Sequence, residues 1–489
     1  MRLAIVAVLV AACGGNGPPA AVPSAPVAVA ATRWVPARPT YVFASPTLGD
    51  AQHSLRDAIE LIGIASGYEL EDVVAALTGL VGVDALHADP LAAIGVDPRG
   101  SWAMFSEDLS PTFVIHLSAP DQMTAFLDRQ RARGLVTRST KVDQTEVFSA
   151  QLVGGLALGW AVEGDWMWVH AQLGAVRDET SWFTASHRPH GAEWANDWAW
   201  AQRAASTAAG VVGVLDLHGV VAKLIERAPD AVACAKLVEP IRRVGFAIEG
   251  DDRHLASRVA FDVGATDTIG RMVVAPPSGW GATAARAAIA GQWNLDLAAA
   301  HAWIAPCLAL LVGGTAELDE TGVRTARGLL IDLDPEQLTG SGALAFDLTS
   351  STYFARQLDR IPLRRSLERR RTFGPYKGAA IDIPFSVTVE YVLEGKLALA
   401  ALGEGLLARI VAPGPAVPAP IFALDVVPPV MAPRAWEAVL HLLTGHDLTG
   451  TPSRATKRAV ERLMRWREGH VALTTTPSEL VLTLSGNRR

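Results

Sequence analysis

The reading of the fold turns on one stretch: Leu156-Ala157-Leu158-Gly159-Trp160-Ala161-Val162, then Glu163-Gly164-Asp165, then Trp166-Met167-Trp168-Val169-His170. Two apolar, strand-prone runs flank a short polar link, and its central glycine supplies the positive φ that a tight turn needs, so the stretch predicts a β-hairpin. The same pattern returns further along the chain, where residues 387–393 and 397–400 flank Glu394-Gly395-Lys396.

Working outward from both hairpins gives matching neighbours. Residues 113–117 alternate as a strand, and residues 120–130 follow with Met123, Phe126 and Leu127 at helical spacing. Their counterparts are residues 344–348 and then 352–361, with Tyr353, Phe354 and Leu358. Ser118 and Thr349 are the expected helix caps, since a hydroxyl accepts from the orphan amides of a first turn. Ordered identities share an offset of 231: Leu127-Asp128-Arg129 with Leu358-Asp359-Arg360, Arg203-Ala204 with Arg434-Ala435, and Asp216-Leu217-His218-Gly219 with Asp447-Leu448-Thr449-Gly450. Val42, Ala44 and Pro46 meet Val273, Ala275 and Pro277 at the same offset. A helix also precedes each sheet, carrying Leu55, Ile59 and Ile62 in the first copy and lying within residues 284–311 in the second. The expected fold is therefore α+β, in two tandem copies of an antiparallel-sheet-plus-helices unit, residues 33–262 and 265–489.

With 489 residues, half of them hydrophobic, the chain can bury a large core. The start reads as an export signal: residues 1–12 carry one charge, Arg2, and then an apolar run shorter than the ~20 residues of a membrane-spanning helix. Val10-Ala11-Ala12-Cys13 resembles the lipobox of bacterial lipoproteins, which implies cleavage before Cys13 and lipid on its thiol. Residues 13–32, rich in Gly, Pro, Ala, Val and Ser, then form a tether. In such lipoproteins of double-membraned bacteria an aspartate after the cysteine favours inner-membrane retention; Gly14 stands here, so the outer membrane is the expected location. Loss of Arg2 leaves 42 basic against 50 acidic residues, a balance that argues against a nucleic-acid partner.

The segment Leu91-Ala92-Ala93-Ile94-Gly95-Val96-Asp97-Pro98-Arg99-Gly100, leading into a strand, resembles uncharacterised bacterial exported lipoproteins with a duplicated α+β domain of unknown function. That resemblance covers about half of the chain and brings neither an activity nor catalytic residues.

Several constellations are candidates for chemistry. His187, His190 and Glu193 offer two imidazoles and a carboxylate to a metal, although Pro189 prevents the regular helix that would align them. Trp194, Trp198 and Trp200 are either core or an exposed aromatic patch that grips lipid, glycan or protein. Arg364, Arg365, Arg369, Arg370 and Arg371 form the one dense basic run; on a helix it would lie along anionic headgroups, and otherwise it is a solvated face. Asp216 and Asp447 read as helix N-caps rather than as acid/base groups. With Cys13 lipidated, Cys234 and Cys307 are left as a pair for an oxidising compartment, either disulfide-bonded or buried as thiols. No nucleophile elbow, zinc-protease helix or phosphate loop occurs in the sequence. The expectation is a non-catalytic envelope lipoprotein without a cofactor, held to the membrane by its lipid and binding or scaffolding an envelope protein at the outer membrane. The alternatives are a periplasmic carrier of a hydrophobic ligand and a metal enzyme built on His187, His190 and Glu193.

Overall fold

The computed structural model describes residues 28–66, 70–133, 135–152, 155–173, 180–187, 194–205, 210–251, 253–263, 267–275, 277, 280, 287–312, 322–337, 339–360, 364–383, 387–411, 420–443, 453–476 and 478–489. Apart from residues 61–67, which group with the second, the described chain divides at Gly264/Ala265 into two compact units. In the first the strands are β1 (Tyr41–Ser45), β2 (Trp102–Ser106), β3 (Thr112–His116), β4 (Arg138–Val142), β5 (Thr145–Gln151), β6 (Leu156–Glu163), β7 (Trp166–Leu173), β8 (Val211–Leu215), β9 (Arg243–Gly250) and β10 (His254–Asp262). They pair antiparallel in the order β4-β5-β6-β7-β3-β2-β1-β8-β9-β10.

The second unit has β11 (Ile289–Trp293), β12 (Val323–Asp334), β13 (Thr339–Leu348), β14 (Glu368–Phe373), β15 (Tyr376–Asp382), β16 (Thr388–Glu394), β17 (Leu397–Leu402), β18 (Phe422–Val426), β19 (Trp466–Thr475) and β20 (Glu479–Arg488). Their antiparallel order is β14-β15-β16-β17-β13-β12-β11-β18-β19-β20. Antiparallel sheets with interspersed helices make the chain α+β.

Both expected hairpins are present. Gly164 turns β6 into β7 at φ 54° and Gly395 turns β16 into β17 at φ 58°, the left-handed region that the turns require. Leu127 lies on helix α3 (Pro120–Ala132), which follows β3, and Leu358 on a helix (Thr352–Asp359) that follows β13. The expected caps are not used: the Ser118 hydroxyl donates to the carbonyls of Gly95 and Val96, and that of Thr349 to the carbonyl of Gly322. The single offset holds across the middle strands and fails outside them. Val42 is in β1, whereas Val273 makes only an isolated bridge to Leu295. Arg203 lies on a helix before β8 and Arg434 on one after β18. The physical reason is unequal connections. Helices α1 (Leu48–Ser66) and α2 (Leu70–Val81) join β1 to β2, whereas one long helix, Leu297–Val312, joins β11 to β12.

Helices α4 (Ser181–His187) and α5 (Ala195–Ala205) link β7 to β8, and α6 (Leu217–Arg227) follows β8. In the second unit, after a helical turn at Asp267–Gly270, the helices in chain order are α7 (Leu297–Val312), α8 (Thr352–Asp359), α9 (Arg364–Leu367), α10 (Leu406–Ile410), α11 (Pro433–Leu443) and α12 (Arg454–Leu463).

Each sheet carries apolar core clusters. In the first unit Leu117, Met123, Phe126, Trp160 and Met167 form one cluster. In the second, Leu329, Ala343, Leu399 and Ala401 pack with Leu406, Leu407 and Ile410 of α10. α10 has no side-chain cap of its own, and Gly405 before it sits at φ 72°. Its start is instead tied from the sheet: the fully buried Glu390 of β16 accepts from the amides of Gly405 (2.8 Å) and Leu407 (3.0 Å) and faces Arg371 at 3.5 Å. A buried carboxylate that satisfies two orphan amides fixes the short helix on the sheet.

Candidate ligand-binding site

In antiparallel sheets, paired residues share a face, and register alone shows what each face carries. One row of the second sheet reads Leu424–Gly291–Gly328–Leu344–Ala400 across β18, β11, β12, β13 and β17. The row beside it reads Val426–Ile289–Leu330–Gly342–Leu402, and the row on the other side Phe422–Trp293–Ala326–Phe346–Ala398. Every one of these side chains is apolar or absent. The opposite face carries Leu329, Ala343 and Ala401, which α10 covers.

The apolar face outlines a furrow of about 570 Å³. Its floor is low because adjacent strands β11, β12 and β13 present Gly291, Gly328 and Gly342 there. Its walls are Ile289, Leu330 and Leu344, the last 49% exposed. Trp293 and Phe422 close one end with rings 5.9 Å apart, and Phe354 of α8 packs on Phe346 at 5.4 Å toward the other. A Cβ on Gly328 would lie 2.8 Å from Cδ2 of Leu344, so any side chain added there enters the space the furrow occupies. Gln292 and Arg327 are the polar residues of its lining; they face each other in register and alternate away from the glycine rows. Burial holds the Arg327 guanidinium below its ordinary pKa.

A second cleft of about 650 Å³ lies further along the same face, where Arg370, Lys377 and Tyr391 meet Ala355, Leu358 and Asp359 of α8. Two members of the basic run, Arg370 and Arg371, line it, together with Glu368. Arg369 to Arg371 lie on strand β14, so they alternate between faces instead of lining one side of a helix. Arg369 pairs with Asp382, and Arg371 with Glu404 at 2.7 Å; Arg370 points to the other face, opposite Ala379. Arg364 and Arg365 fall in the single turn of α9.

The other sequence candidates separate in the structure. His187 lies 2.6 Å from Glu163 and packs among Trp34, Trp168 and Phe183. His190 and Glu193 lie outside the described residues, and no group of three metal-ligating side chains occurs among the described ones. Trp194, Trp198 and Trp200 are buried, so they fill the interior and form no exposed patch. Asp216 caps α6, accepting from the Gly219 amide at 3.0 Å; Asp447 and Cys13 lie outside the described residues. Cys234 ends a short 3-10 helix, and Cys307 is buried on α7. The furrow residues were not singled out from sequence. The signal that could have found them is a glycine at an outward position on each of three apolar strands.

Comparison with known proteins is sparse. No family model and no curated protein matches the chain. Among solved structures, crystal forms III and I of TP0453 are similar at 12% and 11% identity, each with a TM-score of 0.28. They cover 50% and 48% of this chain and 87% and 80% of TP0453. Among the described residues no helix is long and apolar enough to cross a membrane.

The first unit holds two strongly perturbed groups: burial pushes the Tyr41 hydroxyl up to about 12, and it acts on His170 in the opposite sense. His170 on β7 is buried, stacks on Trp182 at 5.2 Å, and has Nδ1 2.9 Å from the Thr112 hydroxyl. Burial pushes its pKa down to about 4, against a weaker opposing pull from Asp108. The native state thus holds His170 neutral, while the unfolded chain protonates it near 6.5. Its contribution is fully present above pH 6.5 and is lost as pH falls toward 4, by about 3 kcal/mol. Urea unfolding at stepped pH should show this loss in the native sequence and its absence in His170→Gln. Equal pH slopes in the two proteins would refute the assignment.

Proposed function

We propose that this chain is an exported, lipid-anchored, non-catalytic binding module whose second unit holds an apolar ligand in the glycine-floored furrow. The observation that carries this reading is the furrow itself, a concave site of ligand size with almost wholly apolar walls. It favours a carrier of hydrophobic ligands over a bare scaffold, since a scaffold gains nothing from leaving three glycines uncovered on one face. The two units are read as copies of one ancestral sequence, supported by their common strand order and by hairpins at Gly164 and Gly395. Outer-membrane attachment through Cys13 remains the reading of the lipobox and of Gly14.

A Cys234–Cys307 disulfide belongs to the same proposal. It closes a loop of 73 residues between positions 234 and 307 and would stabilise by ~4 kcal/mol on the chain-entropy model.

Intact-mass analysis of protein extracted from membranes tests anchoring and disulfide together. The expected species begins at a diacylated Cys13 and takes up iodoacetamide at Cys234 and Cys307 only after reduction. An unmodified N-terminus rejects the anchor, and labelling before reduction rejects the disulfide.

The ligand reading is tested with the neutral fluorophore N-phenyl-1-naphthylamine. The native protein should bind it saturably, and Gly328→Leu and Ala400→Leu should each weaken binding at least about tenfold, or ~1.4 kcal/mol. Both sites are extended strand positions, so circular dichroism should be unchanged. Absence of saturable binding, or unchanged binding in both variants, contradicts the reading.

A further inference from the structure

Building on the apolar-ligand reading, we infer that the ligand is an anionic amphiphile whose acyl chain lies in the furrow and whose acidic head sits at Arg370 and Lys377. The argument is one of continuity. The row through Gly291, Gly328, Leu344 and Ala400 continues in register through Tyr391 and Ala379 to Arg370. Lys377, opposite Thr372, stands on the same face two residues before Ala379. Furrow and basic cleft therefore share one sheet face and border each other on β16, Val389 lining the first and Tyr391 the second. Between them Ala379 and Tyr391 are buried against Leu358 and Leu367, so the acyl chain would cross above Leu358 of α8 and not along the strands themselves.

The charges suit an anion. Arg371 is engaged by Glu404 and Glu390, and Asp359 and Glu368 at the cleft have interactions of their own. Among the described residues Arg370 and Lys377 make no ion pair, so two cations on one face are available to a carboxylate or phosphate. The length also fits. From β15 to β12 is four strand spacings, ~19 Å at ~4.8 Å each, comparable with the ~15 Å that an acyl chain spans in one leaflet of a ~30 Å hydrocarbon core.

Competition against bound N-phenyl-1-naphthylamine tests this on the full chain with tetradecanoate, tetradecyl phosphate and tetradecanol. At least one anion should displace the probe at a concentration about tenfold or more below that of the alcohol. Which anion is stronger separates a fatty acid from a phosphate-headed lipid. In the Arg370→Gln/Lys377→Gln variant the advantage should vanish while the probe itself binds as before. An alcohol that competes as well as both anions, or an anion preference that survives the double substitution, overturns the head assignment and leaves the apolar furrow standing. Failure of the native protein to bind the probe overturns the furrow, and this inference with it.

Discussion

The cross-strand register of β18, β11, β12, β13 and β17 is the constraint on which the rest of the second unit depends. It gathers Gly291 and Gly328 into one row with Gly342 beside them, and sends Leu329, Ala343 and Ala401 to the other face, where α10 packs. A slip of one residue in any strand would exchange the two sets, placing glycine in the core and leucine in the furrow. Glu390 reinforces that register from the buried side by holding the start of α10 against β16. The open face can stay open because the buried face is this firmly specified.

Much of the local fold was legible in the sequence. The hairpins at Gly164 and Gly395 could be read because turn chemistry is local, and the helices carrying Leu127 and Leu358 because their apolar residues recur at helical spacing. What failed was reach. One offset cannot describe units whose connections differ in length, so Val273 and Arg434 were paired with residues in other settings. The strand setting of Arg369 to Arg371 was not legible for another reason: consecutive like charges carry no period, and only their pairing with Ala379 and its neighbours on β15 decides for a strand. The furrow was invisible because a glycine in a strand has meaning only beside the residues that register brings next to it.

Charge placement bears on both edges and ligand. β4, with Arg138 and Lys141, and β14, with Arg369 to Arg371, each pair on one side in the described register. Charged side chains on such strands discourage further strand addition, so part of the basic run has a protective role independent of any ligand. Arg370 differs from its neighbours in turning toward the face that carries the furrow. His170 and His187, by contrast, are held among aromatic rings in the first unit.

The central claim is that a chain-like ligand enters the furrow of the second unit. Fluorine NMR of 5-fluorotryptophan-labelled full-length protein tests it most directly, because the 14 tryptophans report from both units at once and Trp293 closes one end of the furrow. With its resonance assigned by Trp293→Phe, titration with tetradecanoate should shift Trp293 and leave the buried Trp194, Trp198 and Trp200 of the first unit unmoved. A titration in which Trp293 stays fixed, or in which those three move in its place, would contradict the account.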